Sequence, residues 1–210
     1  MRQFIRRFLS LSLIMALCAA QLPVSSLAAS GEDAGFTYEI LNGTYCSITG
    51  YSGSETQLTI PAQLGGYVVQ KIDSSAFQDD AFLESVIMPD TLEQIDSYAF
   101  AGCTNLSDIT FGTGLTQLGS YAFRDCTALA TLSIPGSVSS IGSYAFSGCS
   151  SLETLELVEG LSAIQGYAFE KCTALTAVSF PVSLTSLAGR AFYNCTGLSQ
   201  VCLLYTSRCV

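Results

Sequence analysis

The chain has 210 residues, with 17 acidic and eight basic side chains and a formal net charge of −9. Its apolar share of 49% is enough for a packed core and too high for a disordered chain. It contains no His and no Trp, so Ser-His-Asp triads, Cys-His pairs and HExxH metal sites are excluded.

Arg2, Arg6 and Arg7 precede an apolar run from Phe8 to Ala20, and small residues follow around Ser26-Leu27-Ala28. A basic start, a short apolar run and a small-residue cleavage site read as a secretory signal peptide over residues 1–28. The alternative is an uncleaved anchor, but the run is shorter than the roughly 20 residues a bilayer span needs. Cys18 follows Leu17, which is too large for a lipid-attachment motif. Cleavage removes three basic residues and no acidic ones, leaving five against 17. No basic stripe remains for nucleic acid, and neither anionic lipid binding nor membrane insertion is expected.

Residues 29–57 read as an N-terminal cap. Phe36 to Leu41 and Thr44 to Tyr51 flank Asn42-Gly43, a two-residue hairpin signal. Leu58-Thr59-Ile60-Pro61 is a strand ending, and Gly65-Gly66-Tyr67-Val68-Val69 lengthens the path to Ile72.

Residues 58–201 form about six repeats. Phe recurs after Ala at 77, 100, 123, 146, 169 and 192, every interval being 23. Three residues later stand Cys103, Cys126, Cys149, Cys172 and Cys195, with Asp80 in the first copy. Leu83, Leu106, Leu129, Leu152, Leu175 and Leu198 come next, then Val86, Ile109, Leu132, Leu155, Val178 and Val201. Met88, Phe111, Ile134, Leu157 and Phe180 follow, three of them preceding Pro89, Pro135 and Pro181. Leu92, Leu115, Val138, Leu161 and Leu184 lead to Ile95, Leu118, Ile141, Ile164 and Leu187.

In each copy two apolar positions alternate with period two, as on a half-buried strand, and Pro ends the ladder. Phe and Cys are three apart in Tyr-Ala-Phe-x-x-Cys, which predicts one face of a helical turn. The expected fold is an α/β repeat solenoid of 23-residue period. It has parallel strands on one face, a second short extended piece, and short helical turns on the other face. One copy cannot bury its own apolar side, so copies must stack about 4.8 Å apart, each Phe on the next.

The run Leu129-x-x-Leu132-x-Ile134-Pro135-x-x-Val138-x-x-Ile141-Gly142-x-Tyr144-Ala145-Phe146-x-x-Cys149 resembles the BspA-type leucine-rich repeat of bacterial surface proteins. The resemblance covers about residues 55 to 201. It implies a surface location and adhesion to host matrix proteins or other cells.

Residues 202–210 break the pattern. Cys-Leu-Leu-Tyr-Thr-Ser-Arg-Cys-Val resembles the translation of two sequencing-library adapters joined head to head. On that reading the tail is an artefact, the natural protein is longer, and Cys202 and Cys209 have no biological role.

Three sets of residues compete as sites. The Cys column reads as buried, packed thiols, with disulfides between neighbours as the alternative and no metal array, since no His or carboxylate cluster joins it. Cys46 has no clear partner. The Tyr column (Tyr98, Tyr121, Tyr144 and Tyr167) lies two residues before each buried Phe and is expected to be partly exposed. It reads as a mutually packed ladder or, alternatively, as a contact row for protein or glycan. The outward strand positions form the third set: Asp108, Thr110, Thr131, Ser133, Thr154, Glu156 and Ser179, with Ser85, Ile87 and Ala177. Such faces commonly bind ligands in solenoids. The bland reading is a solvated sheet face. Asp79-Asp80 reads as solvated surface.

No nucleophile-base pair, phosphate loop or metal spacing is present, so no enzyme and no cofactor is expected. The reading is an exported binding module, adhesin-like, for an extracellular protein or glycan. The alternatives are a structural spacer and a non-catalytic part of a larger secreted enzyme.

Overall fold

A computed structural model of the chain describes residues 29–203 and 208–209. Residues 1–28, read above as a signal peptide, and residues 204–207 and Val210 of the adapter-like tail lie outside the described residues.

The chain coils into a stack of parallel layers. The cap contributes strands Ser30–Asp33, Phe36–Ile40 and Tyr45–Tyr51, paired antiparallel in sequence order. The hairpin turns at Asn42, whose side-chain oxygen accepts the N–H groups of Thr44 and Tyr45, and Gly43 takes a left-handed φ of 77°. Strand Tyr67–Ile72 then pairs in parallel with Tyr45–Tyr51. Two-residue strands follow one per layer: Gln94–Ile95, Gln117–Leu118, Ser140–Ile141, Ala163–Ile164 and Ser186–Leu187. All are parallel and in register at 23-residue offsets. With Gln63–Leu64 they complete a ten-stranded sheet that runs unbroken from the cap.

The strands read from the Leu-x-x-Val-x-Ile pattern lie on another wall. They form three short ladders rather than one sheet. Gln57–Thr59 pairs with Ser85–Ile87 and then Asp108–Thr110. Thr131–Ile134 pairs with Thr154–Leu157. Ala177–Phe180 pairs with Gln200–Leu203, which also meets Arg208–Cys209 antiparallel. Cys202 is disulfide-bonded. The wall that looked secondary in the sequence is thus the continuous one.

The core lies between these walls, and the apolar columns fill it. Phe100, Phe123, Phe146 and Phe169 are fully buried. Their rings stack through the whole molecule: Phe77 on Phe100 at 4.7 Å, then 5.1, 5.3, 5.4 and 5.1 Å to Phe192, all within 10° of parallel. Leu187 is 49% exposed although Ile95, Ile141 and Ile164 in its column are fully buried. Ser186–Leu187 is the outer strand of the ten-stranded sheet among the described residues.

The third wall corrects the helical reading. Tyr-Ala-Phe-x-x-Cys forms overlapping β-turns, and the described residues contain no helix. Within one copy Ala99 N–H bonds Asp96 O at 3.4 Å, Ala101 bonds Tyr98 O at 3.0 Å, and Cys103 bonds Phe100 O at 3.3 Å. The alternate amides leave the copy. Tyr98, Phe100 and Gly102 donate to Ser120, Ala122 and Arg124 of the next layer at 3.2, 2.7 and 2.7 Å. Two left-handed residues per copy enforce this: Tyr98, Tyr121, Tyr144 and Tyr167 at φ 58–62°, and Asp79, Gly102, Asp125, Gly148, Lys171 and Asn194 at φ 58–80°. A right-handed helix cannot pass through two left-handed residues four positions apart. Carbonyls of the next layer satisfy the amides that a helix would have paired internally.

Two outcomes are expected. Phe123→Ala removes a ring stacked on both faces and destabilises by about 3–5 kcal/mol in chemical denaturation; a loss under about 1 kcal/mol contradicts the stacked core. Tyr144→Gly relieves left-handed strain that Tyr144→Ala retains, so the Gly variant is more stable than the Ala variant by about 1 kcal/mol. A helical turn gives the opposite order, because Gly is worse than Ala inside a helix.

Candidate functional site

The seven strand-face residues are all exposed: Asp108, Thr110, Thr131, Ser133, Thr154, Glu156 and Ser179. The period-two pleat puts them outward while Ile109, Leu132, Leu155 and Val178 turn into the core. They lie on three ladders, not one. Asp108 and Thr110 stand opposite Ser85 and Ile87, Thr131 and Ser133 opposite Thr154 and Glu156, and Ser179 opposite Cys202. Ser133 Oγ donates to Glu156 Oε2 at 2.8 Å. Ile87 is 50% exposed and gives this face one apolar spot. The surface offers hydroxyls and two acids, without an aromatic or Arg anchor.

The Tyr column forms a ladder. Tyr98, Tyr121, Tyr144 and Tyr167 stack at 4.6, 4.8 and 4.7 Å, within 3° of parallel. Tyr98 is exposed, and the other three are half-buried. A left-handed Tyr costs roughly 1–2 kcal/mol. Each stacked ring pair returns about 0.5–1.5 kcal/mol, so the ladder offsets the strain of its own backbone. Partial burial, with Tyr167 and Tyr121 as neighbours, pushes the Tyr144 hydroxyl above its ordinary range.

Arg190 occupies the next position of that column. Its guanidinium lies 5.8 Å from the Tyr167 ring centre and 5.7 Å from that of Tyr193, and Nη1 donates to the Tyr167 hydroxyl at 2.6 Å. The sequence reading missed Arg190 and Tyr193, because neither repeats. Period arguments are blind to residues that occur once.

The Cys column is buried and its thiols are free, as is Cys46. Each Sγ donates to the backbone oxygen of a Phe 26 residues earlier. Cys126, for example, bonds Phe100 O at 3.3 Å. Burial pushes the Cys103 and Cys149 thiols up to about 12 and Cys126 well above its ordinary value. Such thiols are poor nucleophiles. Among the described residues no group of three or more potential ligands could hold a metal. No helix among them is long and apolar enough to cross a membrane.

Hydroxyl staples also escaped the sequence reading. Ser107 donates to Glu84 O, Thr116 to Glu93 O, Thr127 to Thr104 O and Ser162 to Ser139 O, each across 23 residues. Of the cations, Lys71 bridges Asp73 and Asp96 at 2.9 and 2.8 Å, and Arg124 pairs with Asp125 at 3.1 Å.

The sequence profile described as the BspA type Leucine rich repeat region matches residues 70–199 in six copies. No curated protein matches the chain. Among solved structures, the chain is similar to a leucine rich cell surface protein from Faecalibacterium prausnitzii at 30% identity, with a TM-score of 0.64 over 84% of this chain and 55% of that one. It is also similar to the leucine-rich-repeat protein of T. pallidum at 26% identity, with a TM-score of 0.61 over 82% of this chain and 71% of that one. The pneumococcal vaccine antigen PcpA shares the fold, at 22% identity and a TM-score of 0.72 over 84% of this chain and 50% of that one. The chain thus spans about half the length of the F. prausnitzii and pneumococcal structures.

The raised thiols of Cys103, Cys126 and Cys149 make stability fall at alkaline pH. A Cys raised to about 12 in the fold stays protonated where the unfolded thiol, at an ordinary 9.0, ionises. Unfolding then releases protons, so stability present below pH 9 is lost as pH rises towards 12. The melting temperature of the wild type is expected to fall more steeply above pH 9 than that of a Cys126→Ala/Cys149→Ala variant. Parallel curves contradict this.

Proposed function

Because the chain belongs to the BspA-type leucine-rich-repeat family, we propose that it is a cell-surface or secreted binding module, adhesin-like, whose ligand is an extracellular protein or glycan. The observation that carries the reading is the outward strand face. Seven polar residues, five with hydroxyls and two acids, stand exposed on stacked layers. The likeness to a protein called a leucine rich cell surface protein supports the location. The basic-then-apolar start of the chain supports export. The face has no aromatic or Arg anchor, so each contact is weak and affinity comes from many repeats or many copies.

Solid-phase binding to a panel of matrix proteins and glycans tests this. Saturable binding to one of them, lowered about tenfold or more by joint substitution of Asp108, Thr131 and Glu156, is the expected result. Flat, unsaturable signal across the panel contradicts it and favours a structural spacer or an accessory segment of a larger secreted enzyme.

A further inference from the structure

We propose that the groove between the cap and the first turn of the solenoid binds a basic peptide segment, one that presents Lys or Arg beside an apolar side chain. This rests on reading the chain as a binding module, and it names a partner class and a surface apart from the strand face.

The groove holds about 360 Å³. Tyr51, Ser52 and Gly53 of the cap form one bank, and residues 76–82 form the other, so both banks belong to the described chain. Its apolar part is aromatic. Tyr51 lies 5.9 Å from the Phe77 ring, and Phe82 stands beside them. Phe82 is 67% exposed, more than any other large apolar side chain among the described residues. The later layers place Asn105, Ala128, Ser151, Ala174 and Gly197 at that position, all small or polar. The repeat therefore does not require Phe82, and packing within the chain does not use it.

The polar part of the groove consists of acceptors. In the layer of Phe100, the carbonyls of Ala99 and Ala101 accept the N–H groups of Phe77 and Asp79, both at 2.8 Å. The matching carbonyls one layer earlier, Ala76 and Gln78, line the groove and accept no N–H among the described residues. Such an open row of carbonyls is a template for a donor-bearing segment. The carboxylates of Asp79 and Asp80 line the same groove, and Glu55 accepts the Tyr51 hydroxyl at its rim. None of the three forms an ion pair among the described residues, whereas Lys71 and Arg124 both have carboxylate partners. Partial burial, Glu55 and the charge of Asp80 push the Tyr51 hydroxyl up to about 12, in keeping with a negative field there.

A Lys or Arg side chain supplies both the donors and the positive charge that this set lacks, and an apolar neighbour covers Phe82. Other occupants fit worse. Sugar hydroxyls can donate to the carbonyls but carry no charge to meet the carboxylates. Polyanions are repelled. A metal ion has no site, since no group of three or more potential ligands exists among the described residues.

The test selects a random-peptide phage library on the whole chain. Enriched peptides are synthesised and their affinities measured for the wild type, Phe82→Ser, Glu55→Gln/Asp79→Asn and Glu39→Gln/Glu153→Gln, after thermal melts show that each variant folds. All five positions are exposed, and Asn tolerates the left-handed backbone of Asp79. The expected peptides carry Lys or Arg beside an apolar residue and bind more weakly as ionic strength rises. They lose about tenfold or more affinity with Phe82→Ser and with Glu55→Gln/Asp79→Asn. They bind Glu39→Gln/Glu153→Gln, which removes the same charge elsewhere, as they bind the wild type. Peptides without a cation, or peptides that ignore Phe82→Ser, overturn the proposal. Equal losses in the two charge variants also overturn it, because they show attraction to net charge alone. If the peptides depend instead on Asp108, Thr131 and Glu156, the binding-module reading survives without this groove. If no peptide is enriched above an unrelated control protein, the groove proposal fails, and the panel of matrix proteins and glycans decides the binding-module reading by itself.

Discussion

Everything in this chain follows from one spacing. Parallel backbone layers that share hydrogen bonds must lie about 4.8 Å apart. Any side chain repeated in register is then forced into contact with its copy in the next layer. The Phe rings at 4.7–5.4 Å and the Tyr rings at 4.6–4.8 Å are two expressions of that distance, one in the core and one at the surface. The thiols and the hydroxyl staples are two more, with bonds recurring across 26 and 23 residues. A single layer has nothing to stack on, so the layers are stable only together.

The same constraint decides the backbone of the turn wall. A helix would satisfy its amides internally and leave neighbouring copies joined by side chains alone. Left-handed residues at Tyr98 and Gly102 redirect alternate amides across the layer gap instead. The local cost is strain at Tyr, and the return is a backbone bond between layers. At the surface the stack converts a one-dimensional repeat into flat arrays, where binding contacts can be multiplied by adding layers. Arg190 stands where four earlier layers place Tyr, and Tyr193 meets the Tyr167 ring edge-on beside it.

The layers, their period and the buried columns were legible because Phe, Cys and Leu recur at fixed offsets. The hairpin at Asn42-Gly43 was legible from turn chemistry. The turn wall was misread because a three-residue spacing of Phe and Cys fits both a helical turn and a pair of β-turns. A signal did exist. Asp79, Gly102, Asp125, Gly148 and Asn194 recur at one position, and Gly, Asp and Asn are the residues that accept a left-handed backbone. Tyr at φ near 60° carried no such signal, because its strain is offset only by rings in other layers. The outward strand residues were identified one by one, but their division into three ladders depends on details of pairing that alternation does not encode.

Native-state amide hydrogen exchange tests the central claim most directly. Backbone bonds between layers at the turn wall predict that the amides of Phe100, Phe123 and Phe146 exchange only through a large cooperative opening, as slowly as the amides of the buried strands. If those three amides exchange as fast as exposed turn amides, the layers are not joined there and the account of the fold fails.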